Sequence, residues 1–511
     1  MRVQKIVAVV LLVHGMTGRA QQTMPAKRAF RPADWYKVTT LSTPALAPDG
    51  AKIAFTVTTV REAENKRHSE VWVVPTQGGE PVRYTSPAFE SSDPRFSSDG
   101  TTLYFTSQRP GGRGTTWALR MDQPSGEAFQ PDGQPRIQSG SLPSDRSFAI
   151  VTQGQGGGRG GRGGGAPSDS SSDTAATNDP FGRMQPMARP PYNAITKPEN
   201  AARFDGRQII DMTYKGNGRG YLPGPRMAPR TDTLKPAQLY IERPGQPRKP
   251  LTKTNYSHRD AVVSPDGKWV AFVADAKLRS DSTVNAERDS VNKLQPDRKR
   301  DERPRNDTEI FVLPVAACEA QTTECNPRAL EYAGNESQLA WSPDSRRIAF
   351  VGQPGRFKNQ RLFVVSAAGG KPQDVLGSWQ YEPGQIRWLA NGQLAMVTST
   401  GGNSGLYTID PDSKKVTTVL SGRRQISGVT FDAAERTVVY VSTDLTHPTE
   451  LYVATIGGAC AGATNGAQGG CERKLTSFND KLNTEVAWAD AERFMVKSVG
   501  GLDIESWLMK P

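Results

Sequence analysis

A ten-residue pattern that recurs seven times along the chain constrains the fold more than any other feature of the sequence. In each copy an apolar residue precedes a turn of the Ser-Pro-Asp-Gly type, and a run such as Ile-Ala-Phe follows it. Proline presets φ at the second turn position, aspartate caps the turn and glycine accepts a positive φ, so each copy predicts a β-hairpin. The copies occupy residues 46–55, 96–105, 142–151, 263–272, 341–350, 388–397 and, in a degenerate form, 431–440.

A second hairpin follows the first in several of these repeats. Alternating apolar residues lead into a turn and return at 70–85, 238–252, 361–376 and 405–420. Two hairpins in roughly 45 residues give four strands per repeat, and this period is typical of a β-propeller, in which each blade covers the apolar face of its neighbour. We therefore predict an all-β fold, a seven-bladed β-propeller of four-stranded blades. An open tandem of β-sandwiches explains the period less well.

Two hydrophilic inserts lengthen the repeats. The stretch at about 152–200 is rich in Gly, Arg and Ser and cannot bury enough apolar surface to offset its chain entropy, so we expect it to be disordered. Its Arg-Gly-Gly tract has only Arg159 and Arg162 and no interleaved aromatic residue, which argues against a nucleic-acid partner. Residues 275–307 carry nine basic and eight acidic side chains, which predicts a solvated excursion of the fourth blade, helical around 284–294.

The N-terminal residues have the pattern of a secretory signal. Arg2 and Lys5 precede an apolar run at 6–13, and Gly18-Arg19-Ala20 provides a small-x-small cleavage site before Gln21. The run is too short to span a bilayer, and we find no other segment of the sequence long and apolar enough to do so. The sequence thus predicts a periplasmic or secreted protein, with a buried first strand or an uncleaved anchor as the alternative.

The four cysteines form two local pairs, Cys318 with Cys325 and Cys460 with Cys471. Neither pair has the spacing of a zinc knuckle or of a redox motif. In an oxidising compartment two disulfides are the economical prediction, with free buried thiols as the alternative. Each pair flanks the turn of a second hairpin, in two different blades, where antiparallel strands already run close together.

The sequence carries no recognisable catalytic apparatus. The nucleophile pattern G-x-S-x-G does not occur, and Ser404, which comes nearest to it, has the context of a hairpin turn. Outside the signal the histidines are His68 in a charged loop, His258, and His447 in a loop before a proline, and none has a spaced partner for zinc or for a nucleophile. We also find no nucleotide, dinucleotide or calcium motif, so we predict no catalytic residue, metal ligand or cofactor.

Several segments resemble one protein family. The repeats at 263–272 and 341–350, and the hairpins that end in Gly-Gly-Glu-Pro-Val-Arg-Tyr-Thr and Arg-Lys-Leu-Thr, resemble the propeller of the prolyl oligopeptidase family, above all its acylaminoacyl-peptidase and dipeptidyl-peptidase branch. Residues 31–50 are similar to the short helix before its first blade, and 214–222 to its third-blade insert. Residues 494–511 resemble the first strands of its α/β-hydrolase domain, although Ser506 and Gly500 stand where Gly and Asp are typical.

This resemblance implies a serine peptidase whose Ser, Asp and His belong to an α/β-hydrolase domain that these residues do not include. The propeller would gate the active site for small or unfolded peptides, and the chain, as the propeller part of a truncated exported peptidase, would be inactive alone. Leu502, Ile504, Trp507 and Leu508 are expected to form a strand with one buried face, a stub of the hydrolase domain. A separately encoded hydrolase domain would be the partner.

The predicted organisation is a signal peptide at 1–20, an N-terminal extension with a short helix at 21–41, the propeller at 42–482, and a linker with the first hydrolase strands at 483–511. The alternative function is that of a free-standing, TolB-like periplasmic propeller that binds protein partners. It requires the terminal strand to pack on the ring as its closure. A third interpretation is a propeller enzyme of the lactonase type, but the sequence shows no evident metal ligands for such an enzyme.

Overall fold

Seven antiparallel sheets follow one another along the chain in a computed structural model of the protein. The structure describes residues 27–510 except 98, 111–114, 123–125, 132–140, 146, 154–234, 244–245, 293–307, 333, 356–357, 457–463 and 468–469. Each sheet is one blade, and the seven blades form the ring that the repeats predict. The fold class is therefore confirmed as a seven-bladed β-propeller.

The blades are built from consecutive strands. Blade one contains Thr40–Leu46, Lys52–Arg61, Lys66–Pro75 and Val82–Arg83. Blade two contains Ser91–Phe96, Thr102–Ser107 and Thr115–Arg120. Blade three contains Ala149–Gln153, Gln238–Glu242 and Lys249–Pro250. Blade four contains Arg259–Val263, Trp269–Asp275, Thr308–Pro314 and Arg328–Ala329. Blade five contains Asn335–Trp341, Arg347–Gln353, Arg361–Ser366 and Gln373–Asp374. Blade six contains Ile386–Trp388, Leu394–Thr400, Asn403–Ile409 and Val416–Leu420. Blade seven contains Gln425–Phe431, Thr437–Thr443, Glu450–Ile456, Thr464–Ala467 and Gly470–Lys474.

Three blades depart from the predicted four strands in the described part of the chain. Blade seven has five strands, and blades two and three each have three assigned strands. Isolated bridges of Phe129 to Ala118 and of Ser141 to Ile150 stand where the fourth strand of blade two and the first strand of blade three belong. The four-strand plan is therefore present in blades two and three in a reduced form.

The repeated turn forms as its residue types predict. The Asp49 carboxylate accepts a hydrogen bond from the backbone N–H of Ala51 at 2.9 Å, and Asp99 accepts from Thr101 at 3.1 Å. The same contact to the residue two positions ahead recurs at Asp145, Asp266, Asp344 and Asn391. A short polar side chain that binds its own backbone in this way fixes a tight turn, which is why the repeat encodes its hairpins locally.

Apolar clusters between neighbouring blades form the core. Leu41 and Phe55 of blade one pack with Val439 and Leu451 of blade seven, and all four are buried. Each such side chain contributes about 1.5–3 kcal/mol through burial. Among the described strands each blade comes from one stretch of chain, so the first and last blades meet through side chains and do not exchange a strand.

The two segments that flank the propeller pair with each other beside this junction. Arg28–Ala29 pairs in parallel with Val486–Ala487, and this pairing is here called the clasp. Phe30 stacks on Trp488 with ring centroids 5.0 Å apart. The Arg28 guanidinium donates two hydrogen bonds of 2.7 Å to the buried Asp34 carboxylate in the 3-10 helix Pro32–Lys37. The clasp therefore ties the segment before blade one to the segment after blade seven.

The remaining helices lie at connections. The α-helix Asp281–Asn292 falls within the charged insert, where the sequence predicts a helix, and its Asp281 carboxylate accepts a hydrogen bond from Ser257 N at 2.9 Å. Shorter helical segments are Glu62–Glu64, Val315–Glu319 and Asp480–Glu485. The insert predicted at about 152–200 lies outside the described residues except for the strand positions 152 and 153, and so does 214–222.

One predicted disulfide is present. Cys318, in the short helix Val315–Glu319, is bonded to Cys325, and the pair closes the turn between the third and fourth strands of blade four. Cys460 lies outside the described residues, so its pairing with Cys471 stays a prediction. The predicted signal also lies outside them, and no helix in the described ranges is long and apolar enough to cross a membrane.

Candidate functional site

The points at which the two inserts leave their blades, and the points at which the chain enters blade one and leaves blade seven, lie at one face of the ring, here called the insert face. In an antiparallel blade the end of the second strand and the start of the third lie at the same edge. This edge carries the connection that holds the helix Asp281–Asn292 and the connection that leaves blade three after Gln153. The chain also enters blade one and leaves blade seven at this edge, so the insert face is where further structure can attach.

A separate hairpin, here called the C-terminal hairpin, lies on the insert face beside blades six and seven. It consists of Ala491–Lys497 and Asp503–Met509, which pair with each other and with no blade strand among the described residues. The indole of Trp507 lies against Gly402, in the turn between the second and third strands of blade six. Arg423 donates hydrogen bonds to the Asp490 carboxylate at 2.6 Å and to the Ala491 carbonyl at 2.7 Å.

The hairpin has a mixed side towards the ring, where Met495 and Met509 accompany charged residues, and a mainly apolar outer side that also carries Glu492 and Ser506. Its pairing register places Arg493 and Glu505, ion-paired at 2.7 Å, on the same face as Trp507, and this face meets the ring. Lys497 and Asp503 add a second ion pair there at 2.7 Å. The outer face carries Phe494, Val496, Ile504 and Leu508, which are 42%, 44%, 50% and 46% exposed.

The expectation that Leu502, Ile504, Trp507 and Leu508 share one buried face is wrong. Side chains alternate along a strand, so Trp507 faces the ring while Ile504 and Leu508 point away from it. Leu502 lies beside the hairpin turn and is 72% exposed. The strand itself forms as predicted, but nothing in the described residues covers its apolar face.

A cavity of about 700 Å³ separates the hairpin from the ring. Arg423, Asp444, Leu445, Trp507 and Met509 are among the side chains that line it. Burial raises the pKa of Asp444, but hydrogen bonds from Thr446 and His447 outweigh this effect and hold the pKa below its usual value. The wall of the cavity thus combines apolar side chains with charges that are already paired.

The structure separates the residues that the sequence analysis considered for chemistry. Ser404 is buried in the strand Asn403–Ile409, where its hydroxyl accepts a hydrogen bond from Ile426 N at 2.6 Å, so its assignment to the turn is wrong by two positions. His68 lies buried in the strand Lys66–Pro75, 3.4 Å from Glu70, and its placement in a charged loop is wrong because the third strand of blade one begins earlier.

The other two histidines have ordinary structural surroundings. His258 is fully buried, its Nδ1 lies 2.9 Å from the Ala237 carbonyl, and burial lowers its pKa. His447 is exposed and its Nδ1 lies 3.0 Å from Asp444. The histidines belong to different parts of the ring, and within the described ranges no three His, Cys, Asp or Glu side chains are grouped to hold a metal ion.

A buried acidic pair between blades four and five was not visible in the sequence. Glu309 accepts hydrogen bonds from the backbone N–H groups of Ile310 and Tyr332. Glu336 accepts one from the Thr308 hydroxyl at 2.6 Å, and burial raises the pKa of Glu336 to about 8, with the charge of Glu309 adding to the effect. The two residues belong to strands of different sheets, so only the packing of neighbouring blades reveals the pair.

Comparison with curated proteins finds peptidases. No family model matches the sequence. The uncharacterized peptidase YuxL of Bacillus subtilis is 22% identical over 489 residues, which cover 95% of this chain and 64% of that protein. Dipeptidyl-peptidase 5 of Trichophyton equinum is 24% identical over 265 residues, which cover 49% of this chain and 32% of that protein. The chain thus spans less than two thirds of the length of these relatives.

Solved structures share the fold. Acylaminoacyl peptidase of Pyrococcus horikoshii superposes with a TM-score of 0.53 at 15% identity, over 93% of this chain and 58% of that one. A puromycin-hydrolyzing peptidase of Mycobacterium tuberculosis superposes with a TM-score of 0.50 at 13% identity, over 93% of this chain and 59% of that one. Identities this low bear on the fold alone.

Proposed function

We propose that this chain, a propeller of the prolyl oligopeptidase family, gates access of peptides to a catalytic α/β-hydrolase domain that docks on the C-terminal hairpin. The hydrolase domain belongs either to the same polypeptide or to a separate one. The observation that carries the proposal is the uncovered apolar face of the hairpin at Phe494, Val496, Ile504 and Leu508. The relatives add support, because they are peptidases longer than this chain.

The C-terminal hairpin has too few contacts of its own to be a stable unit. A two-stranded hairpin is marginally stable alone, and contiguous exposed apolar surface marks an interaction site. Among the described strands, each strand of the hairpin has one edge without a partner, which further strands of an α/β sheet would cover. Because the hairpin stands on the insert face, a domain mounted on it would face the ring.

The chemistry would come from the docked domain. The sequence contains no G-x-S-x-G pattern, and Ser404 is held by Ile426 inside a blade. The propeller would act by exclusion, admitting small or unfolded peptides to an active site of the dipeptidyl- or acylaminoacyl-peptidase type. Export of the protein is part of the proposal, and the N-terminal signal pattern and the bond between Cys318 and Cys325 support it.

The free-standing, TolB-like alternative is less well supported by the hairpin geometry. That alternative requires the terminal strand to pack on the ring as its closure. The strand Asp503–Met509 instead pairs with Ala491–Lys497 in a sheet of its own. Its contacts with the ring are made by side chains such as Trp507.

Docking can be tested by a binding titration of the full chain. The probe is the part of YuxL that lies outside its match with this chain. We expect binding to the full chain and a loss of roughly tenfold or more in affinity for Val496→Asp, because a charge would be buried in an apolar contact. Val82→Asp is the matched control, since Val82 is an exposed valine (55%) on the outer strand of blade one. Equal binding to Val496→Asp and to the unsubstituted chain, or no binding to either, would overturn the proposal.

A further inference from the structure

The first strand of blade six stops short of the insert face. In blades one, five and seven the first strand has seven residues and pairs with the second strand up to this face, through Thr40 with Thr58, Asn335 with Gln353 and Gln425 with Thr443. In blade six it has three residues, Ile386–Trp388, and its pairing ends at Ile386 with Met396. The second strand, Leu394–Thr400, continues towards the insert face, and the space beside its last residues is here called the strand gap.

The residues just before the first strand explain why its pairing stops. The register that joins Ile386 to Met396 would place Pro383 opposite Ser399. Proline has no backbone N–H, so it cannot donate a ladder hydrogen bond to the Ser399 carbonyl. Gly384 lies so close to the second strand that a Cβ atom on it would come within 2.1 Å of the Val397 carbonyl oxygen. The sequence of blade six therefore ends the first strand early and leaves the gap.

The strand gap exposes the backbone of Ser399. Hydrogen-bonding groups of successive strand residues point to alternate edges of the strand. Val397 N–H donates to the Gln385 carbonyl at 2.9 Å, so Val397 faces the first-strand edge, and Ser399 faces the same edge. Ser404, which is opposite Ser399 in the third strand, donates its N–H to the Arg424 carbonyl and not to Ser399. Ser399 is exposed, and no described strand pairs with it on its free edge.

A cavity of about 520 Å³ lies in the strand gap, and its volume is within the range of ligand-binding pockets. One wall is the edge of blade six at Val397 and Ser399, and the other is the start of blade seven at Gln425 and Ile426. The Thr398 hydroxyl in this lining is buried and has no hydrogen-bond partner among the described residues. The gap therefore offers unused main-chain and hydroxyl groups within a groove between two blades.

We propose that the strand gap binds an extended peptide, which pairs with Ser399 as a short added strand. Strand addition gives affinity through main-chain hydrogen bonds, so it selects an extended backbone with free amide groups and not one sequence. This inference rests on the proposed function and narrows its substrate class to peptide segments that have no secondary structure of their own. The gap is close to the C-terminal hairpin, because Gly402, three positions after Ser399, lies against Trp507. A bound segment would therefore lie beside the docked hydrolase domain.

Peptide binding to the full chain tests the strand gap with no hydrolase domain present. The probe is a fluorescently labelled peptide, Lys-Thr-Val-Thr-Val-Thr-Lys, acetylated and amidated at its ends. Its matched control carries N-methyl groups on every residue between the lysines. We expect the control to bind about tenfold more weakly or worse, because it cannot donate main-chain hydrogen bonds to the Ser399 carbonyl. Equal binding of the two peptides, or no saturable binding of either at millimolar concentration, would overturn the proposal.

Substitution of Ser399 tests the location of the site. Ser399→Pro removes the N–H on the free edge, a position where a strand tolerates proline, and it leaves the ladder to the strand Asn403–Ile409 in place. This variant should bind the peptide about tenfold more weakly, whereas Ser399→Ala, which keeps the N–H, should bind within about twofold of the unsubstituted chain. Equal affinities of the two variants would contradict pairing at Ser399.

Hydrogen exchange on the unsubstituted chain gives a measurement that does not depend on the folding of Ser399→Pro. The peptide should slow exchange of the Ser399 amide about tenfold and leave unchanged that of Gly370, in an exposed turn at the opposite face of blade five. Unchanged exchange at Ser399 would overturn the proposal. Protection that appears without peptide and rises with chain concentration would also do so, since a second copy would then fill the gap. These outcomes are separable from a failure of the proposed function, because docking of the YuxL probe is measured without peptide.

Discussion

The side chain of Asn479 and the backbone of Thr39 form two hydrogen bonds with each other, and this contact joins the end of the propeller to its beginning. Thr39 N–H donates to Asn479 Oδ1 at 2.9 Å, and Asn479 Nδ2 donates to the Thr39 carbonyl at 3.0 Å. Asn479 is 1% exposed, and its backbone N–H donates to the buried Glu450 at 2.8 Å. A buried polar network therefore supplements the apolar contacts where no strand is exchanged.

Asn479→Ala should destabilise the ring. The substitution leaves the Thr39 N–H buried without its partner and removes the hydrogen bonds that Asn479 Nδ2 donates to the carbonyls of Thr39 and Thr449, although the Thr39 carbonyl keeps the Thr449 hydroxyl as a donor. We expect a loss of about 2–3 kcal/mol in the free energy of unfolding. Denaturant unfolding of the full chain measures it. Asn391→Ala, which removes an amide from an exposed turn, should cost less than about 1 kcal/mol. Equal losses for the two variants would contradict a closing role for Asn479.

Stability should fall as pH rises from about 4.5 to about 8 because of Glu336. Its folded pKa of about 8 lies above the ordinary value of 4.5, so in this window the folded chain keeps a proton that the unfolded chain releases. Burial is the main cause, and the charge of Glu309 adds to it, while the Thr308 hydroxyl and the charge of Arg259 oppose it.

Glu336→Gln keeps the shape of this side chain but cannot ionise. Its denaturation midpoint should therefore change less between pH 5 and pH 8.5 than that of the unsubstituted chain. Glu324→Gln is the control, since Glu324 is exposed. A pH dependence that is the same in Glu336→Gln as in the unsubstituted chain would show that Glu336 does not titrate in this range.

Thiol counting tests the cysteine predictions. In denaturant and without reductant, the full chain should show no reactive thiol if both Cys318–Cys325 and Cys460–Cys471 are bonded. Two reactive thiols would show that Cys460 and Cys471 are not bonded to each other. Replacing Cys318 and Cys325 by serine should cost about 2–3 kcal/mol, as expected for release of a short loop in the unfolded chain.

The sequence predicts those parts of the fold that local chemistry encodes. Asp49 and Asp344 bind the backbone two residues ahead, as do the turn residues of four other repeats, so the repeat encodes its own turn and its seven copies imply the ring. The contact of Gly402 with Trp507 has no such signal, because it depends on where two distant segments meet. The same reason hides the pair Glu309 and Glu336. The placement of His68 in a loop is wrong for a local reason, because the charged residues around it belong to the strand Lys66–Pro75.

Hydrolysis of dipeptidyl and acylaminoacyl 4-nitroanilides by the purified chain tests most directly the central claim that the propeller gates a nucleophile held by another domain. We predict no turnover that a serine-directed phosphonate inhibits. Turnover that this reagent abolishes would contradict the account, since it would place a reactive serine within these 511 residues.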